Sequence, residues 1–141
     1  MILDLIEGLK QVLQDEWDIP VFVEAKEELG VETPNFFIFV LSSEEKSLMS
    51  DRCIRQIPVE IHYHPDEPVD LPTCYDIAER LFEITNLVSL SEGFTTRGQN
   101  KKFELTQNTI IFRVSFDFVL SPDKAKEEAM ETVESQTVLG G

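Results

Sequence analysis

The chain has 141 residues, 42% of them hydrophobic and ten of them Phe, enough for one domain with a real core and too apolar for disorder throughout. Its 27 acidic residues against 12 basic leave a formal net charge of −15, which repels phosphate backbones and anionic membrane and excludes a groove-reading DNA binder. The opening MILDLIEGLKQ lacks the basic start and continuous apolar stretch of a signal peptide, and no run approaches the ~18 apolar residues of a membrane span.

Residues 2–17 place Ile2, Leu5, Ile6, Leu9, Leu13 and Trp17 at helical spacing, which predicts an amphipathic first helix ended by Asp18-Ile19-Pro20. Val21-Phe22-Val23 reads as a short strand and Glu24 to Val31 as a charged loop. The apolar run Phe36 to Leu41 predicts a strand covered on both faces, and the polar stretch Ser42 to Ser50 an exposed loop. Ile57, Val59, Ile61 and Tyr63 alternate with Pro58, Glu60, His62 and His64 as a half-buried strand does. Because Pro58 cannot donate to a ladder, that strand is expected at a sheet edge or with a bulge near its start.

Leu71 to Thr85 is the second predicted helix, with Pro72 in its first turn and Cys74, Ile77, Ala78, Leu81, Phe82 and Thr85 as its buried stripe. A short apolar piece (Leu87, Val88, Leu90) and a turn at 91–93 lead to a strand reaching Phe103 and Leu105. Gln107-Asn108 is a hairpin turn, and Ile110 to Leu120 alternate for a full final strand. The expected fold is α+β, a mainly antiparallel sheet packed against two helices over residues 1–121, followed by an extended acidic tail at 122–141. Phe37, Phe39, Val59, Ile61, Leu81, Phe82, Phe112, Val114 and Phe116 are expected to meet in its core.

Signs of catalysis are sparse. Glu60, His62 and His64 share one strand face and form an HxH pair able to ligate zinc or copper, yet no Cys or third His stands by, so solvated strand-end histidines are the expectation. Cys53 and Cys74 have no metal-finger spacing; a disulfide stays open, with two free thiols of a reducing cytoplasm favoured. No nucleophile elbow, phosphate loop or dinucleotide fingerprint occurs, which predicts a protein that is not an enzyme and needs no cofactor or metal. One charge reversal stands out. Arg97, Lys101, Lys102 and Arg113 make residues 94–113 net positive, either as an ordinary charged hairpin or as a basic face that meets an acidic neighbour.

The succession PNFFIFVLSSEEKSLMSDRCIRQIPVEIHYHP, AERLFE, TRGQNKKFEL and FRVSFDFVL resembles the tail-terminator proteins of contractile-tailed phages and defective prophages of low-GC Gram-positive bacteria, over about residues 1–120. The resemblance implies a homo-hexameric ring that caps the head-proximal end of the tail tube and stops its polymerisation. It also implies a docking face for head-completion or neck proteins and, in a contractile tail, for the last sheath ring. DNA would pass through the lumen without specific binding, and no membrane is involved. The protein would act in the host bacterial cytoplasm during assembly and then in the virion tail or neck. Arg97, Gly98, Lys101, Lys102, Arg113 and Pro58 are the expected subunit or tube contacts. Arg97 is favoured because a guanidinium pairs bidentately with a carboxylate, and Gly98 is expected to let the backbone turn beside it. A neck or head-to-tail joining protein, an acidic DNA-mimic inhibitor and a carboxylate-metal hydrolase are the alternatives.

Overall fold

The computed structural model describes residues 1–24 and 32–120. In chain order they form α1 (Ile2–Glu16), β1 (Val21–Val23), β2 (Asn35–Val40), β3 (Glu44–Ser47), β4 (Cys53–His64), α2 (Leu71–Ile84), β5 (Val88–Ser89), a 3-10 turn (Ser91–Gly93), β6 (Thr95–Thr106) and β7 (Thr109–Leu120). The sheet order is β1-β2-β4-β7-β6-β5, with β3 also against β4. Only β1–β2 is parallel among the described pairs, so the α+β, mostly antiparallel architecture is as expected. The 122–141 tail and the loop expected over 25–31 lie outside the described residues.

Both helices bury their apolar stripes on one face of the sheet. Leu5, Leu9 and Leu13 of α1 and Cys74, Ile77, Ala78 and Leu81 of α2 join Phe36, Ile38, Ile57, Val59, Ile61, Phe112, Val114 and Phe116 in a single core. Arg80 ties the helices together through two bonds to Glu16, at 2.8 and 2.9 Å, and pairs with Glu83 at 2.6 Å. The α2 N-terminus is set by Asp70, whose carboxylate accepts from the Thr73 hydroxyl at 2.7 Å, and by Pro72, whose missing N–H costs nothing in a first turn. Cys53 and Cys74 are buried and not joined by a disulfide.

The facing of β2 is the reverse of the expectation. Phe36 and Ile38 point to the helices, whereas Phe37 and Phe39 point away from them, in register with His62 and Glu60. A strand with no polar residue to mark its outer side carries no parity signal. The choice is made by the Trp17, Phe36 and Tyr63 rings, which pack at 5.0 and 5.1 Å on the helix side. Phe82 is only half-buried at the rim of the core.

Two further expectations are corrected. The stretch 42–50 is not all loop, because Glu44–Ser47 pairs with β4 in the register Glu44↔Gln56 to Ser47↔Cys53. Nor is Pro58 on an edge strand: β4 is central, with Pro58 opposite Ser115 of β7. The Pro58 carbonyl accepts from the Leu41 N–H at 2.9 Å, and a strand residue's N and O point to the same side. Its absent N–H therefore faces Leu41, just past the end of β2, so the missing bond falls at the strand's end and not within the β2–β4 ladder.

Candidate subunit interface

The sheet face turned away from the helices is a graded surface set by register. At the β1–β2 end it is aromatic. Phe37 is buried among the rings of Phe22 (5.1 Å), His64 (5.2 Å, edge-on) and Phe39 (6.2 Å). His62 packs on Phe39 at 4.8 Å and meets Glu60 Oε1 at 2.9 Å, while His64 Nδ1 lies 2.8 Å from Asn35 Oδ1. These histidines are half-buried and packed against aromatic rings, not solvated at a strand end as expected. Among the described residues no cluster of three His, Cys, Asp or Glu side chains converges to hold a metal ion.

Toward the middle of this face the β4–β7 register sets Glu60 opposite Arg113. Arg113 Nε donates to Glu60 Oε2 at 2.7 Å, Arg113 lies 3.9 Å from Glu104, and Lys102 pairs with Glu104 at 3.0 Å. Burial pushes the Glu60 carboxyl up, but the hydrogen bonds from His62 and Arg113 outweigh it and leave it below the usual carboxylate range. The Lys102 ammonium holds Glu104 low, with Arg113 adding to the effect. Pro58 and Arg113 line one shallow groove with Leu41, Gln56, Asn100 and Ser115, so two of the expected contact residues do share a surface.

The other expected contacts are dispersed. β6 carries one extra residue between Gln99 and Lys102, with Asn100 in the left-handed region at φ 53°, and this bulge turns Lys101 under the sheet. Its ammonium donates to the Phe82 carbonyl at 2.8 Å and to the Asn86 side-chain oxygen, closing the C-terminal end of α2, and its burial lowers its pKa. Gly98 lies beside it but does not turn the chain. Its N–H donates to the Thr85 carbonyl at 3.0 Å, and a Cβ there would lie 2.3 Å from that oxygen and 2.8 Å from Val114 Cγ2. The glycine is required for close approach of α2 to β6, a packing demand invisible in the dipeptide Arg-Gly.

Of the basic hairpin, then, Lys101, Lys102 and Arg113 are engaged within the subunit. Arg97 differs. It is exposed, stands in register with Asp117, and makes no ion pair among the described residues. Sequence reading missed the turn between β3 and β4, where Leu48 (40% exposed), Met49 (85% exposed) and Arg52 stand at the end of the sheet. The available signal was an apolar pair set inside the polar stretch 42–52.

Among known families, the model described as phage tail terminator protein matches residues 4–128. No curated protein matches the chain. The match spans nearly the whole length, both helices and every strand, so the chain belongs to the phage tail terminator family, a structural tail-protein family.

Proposed function

We propose that this phage tail terminator subunit works as a homo-hexameric ring that caps the head-proximal end of the tail tube, halts its polymerisation and presents a docking face to head-completion proteins. The ring binds the tail tube protein on one side and the neck protein on the other, and in a contractile tail it also meets the last sheath ring. It assembles in the host cytoplasm and ends in the tail or neck of the virion. Its task is positional and requires no catalysis, metal or cofactor.

The observation that carries the ring reading is the one-sided architecture. Both helices cover one face of the sheet, and the opposite face and its rim carry the aromatic patch, the Pro58–Arg113 groove and exposed Arg97. A subunit so built completes itself against neighbours. The acidic excess suits a lumen through which DNA slides, because like charge prevents trapping of phosphates. Arg97 is the contact residue of the basic hairpin, since the other three cations already have partners within the subunit.

Arg97→Glu tests this assignment. The folded monomer should survive, as the residue is exposed, while ring formation or tube capping weakens and tails of unregulated length accumulate. Normal-length tails joined to full heads would rule out the Arg97 contact. Normal tails after loss of the whole gene would rule out the terminator role.

A further inference from the structure

The turn that joins β3 to β4 is an ordered apolar knob. The Leu48 N–H donates to the Arg52 carbonyl at 2.7 Å and the Arg52 N–H to the Met49 carbonyl at 3.4 Å. Ser50 and Asp51 both occupy the left-handed region, at φ 62° and 60°, as the two central residues of a tight hairpin turn do. This turn holds Leu48 and Met49 out in solvent.

At the same end of the sheet lies a largely apolar groove, lined by Met1, Leu90, Phe94 and Val119, with Asp4 and Asp117 also in its lining. The two features are distinct patches at one end of the sheet, joined through the Cys53–Leu120 pair. The register Cys53↔Leu120 puts the knob on the β3–β4 side of β7, whereas Leu90 and Phe94 put the groove on the β5–β6 side. A knob and a groove that are different patches of one subunit give a heterologous contact, the kind that closes into rings when its rotation permits.

Charge points the same way. Arg52, beside the apolar pair, is exposed and makes no ion pair among the described residues, and the groove lining offers Asp4 and Asp117 to it. Arg97, in register with groove residue Asp117, is an exposed cation at the same end of the sheet, opposite in sign to Asp51 of the knob. The occupant that matches both the apolar and the charged parts of this groove is therefore the knob of another copy. We propose that the β3–β4 turn, led by Leu48 and Met49, seats in the Met1–Leu90–Phe94–Val119 groove of a second copy of this chain and forms the repeating contact of the ring. This rests on the ring reading above and names its interface.

Thiol cross-linking of the full chain tests it, since native Cys53 and Cys74 are buried and shielded from reagent. Chains carrying Met49→Cys and Val119→Cys, both at exposed positions, are mixed with a short bismaleimide. The expected product is a mixed dimer in clear excess over either homodimer and over a control pair in which Glu79→Cys on α2 replaces Val119→Cys. Equal yields from test and control pairs would overturn the proposal. A second arm replaces Leu48 and Met49 by Ser, which should weaken self-association in sedimentation by roughly ten-fold or more while leaving the far-ultraviolet spectrum unchanged. Unaltered association would likewise overturn it. The terminator role is scored separately, by tail length after gene loss. A mixed cross-link with normal tails removes that role and leaves the contact, whereas unregulated tails without the cross-link do the reverse.

Discussion

Gly98→Ala should destabilise the subunit by about 2–4 kcal/mol although the residue lies in a strand, where Ala is ordinarily the better choice. The added Cβ would stand 2.3 Å from the Thr85 carbonyl oxygen and 2.8 Å from Val114 Cγ2. Neither neighbour can retreat freely. Thr85 ends α2, its hydroxyl donates to the Leu81 carbonyl at 2.6 Å, and Val114 is 3% exposed inside the core. Overpacking at such a site costs about 1–3 kcal/mol. Pushing β6 off α2 also stretches the 3.0 Å bond from the Gly98 N–H and leaves a buried carbonyl short of a donor, about 1–3 kcal/mol more. Against this, a stiffer unfolded chain returns about 0.4–1 kcal/mol. With urea slopes of about 1–3 kcal/mol per molar, the unfolding midpoint should fall by about 1–2 M. A midpoint shift below about 0.3 M, or a rise, would show that the helix–strand approach at Gly98 is looser than the geometry implies.

Phe36→Ala should cost about 3–5 kcal/mol in denaturant melts and Phe39→Ala clearly less, because Phe36 is fully buried under the helices and Phe39 half-exposed on the other face; the opposite ranking would restore the facing expected from sequence. Lys101→Met should lower stability by about 1–2 kcal/mol, since the Phe82 carbonyl and Asn86 lose their donor; an unchanged melting temperature would mean that solvent serves them as well. Glu60 titrates below its ordinary 4.5, so it favours folding above that pH and its contribution is lost as pH falls through the lowered value. The stability gap between the wild type and Glu60→Gln should therefore shrink between about pH 6 and about pH 3, and a constant gap would dismiss the Glu60–Arg113 coupling.

What could be read from the chain were the features written in local periodicity. The stripes Leu5-Leu9-Leu13 and Cys74-Ile77-Ala78-Leu81 place both helices, and the alternation from Ile110 to Leu120 places β7 with the correct side inward. The turn at Gln107-Asn108 was legible for the same reason, since two residues able to adopt positive φ stand between two strand patterns. What stayed hidden depends on partners distant in sequence. Glu44–Ser47 is polar and exposed throughout, and it is a strand only because β4 continues past the end of β2 and its backbone needs a neighbour there. The hairpin cations looked available because their carboxylate and carbonyl partners come from elsewhere. Glu60 is 53 residues from Arg113, and the Phe82 carbonyl is 19 from Lys101.

That redistribution of charge bears on how so acidic a chain could assemble with itself. Copies of net charge −15 repel, and salt screens only beyond about 8 Å at physiological strength, so a contact must place cations where the copies touch. Among the described residues, Lys10, Lys46, Arg52 and Arg97 are the cations with neither an ion pair nor a side-chain hydrogen bond. Three of the four lie toward one end of the sheet: Lys46 pairs with Ile54, Ile54 with Val119, Arg97 with Asp117, and Arg52 directly precedes Cys53, the register partner of Leu120. The cations toward the opposite end, Lys102 and Arg113, are already matched to Glu60 and Glu104. The unengaged cations therefore gather toward the Leu120 end, where the apolar knob and groove also lie. A ring closing through that end leaves the acidic remainder of each subunit, α2 with Asp76, Glu79 and Glu83 included, to face solvent, lumen or the basic surfaces of other tail proteins.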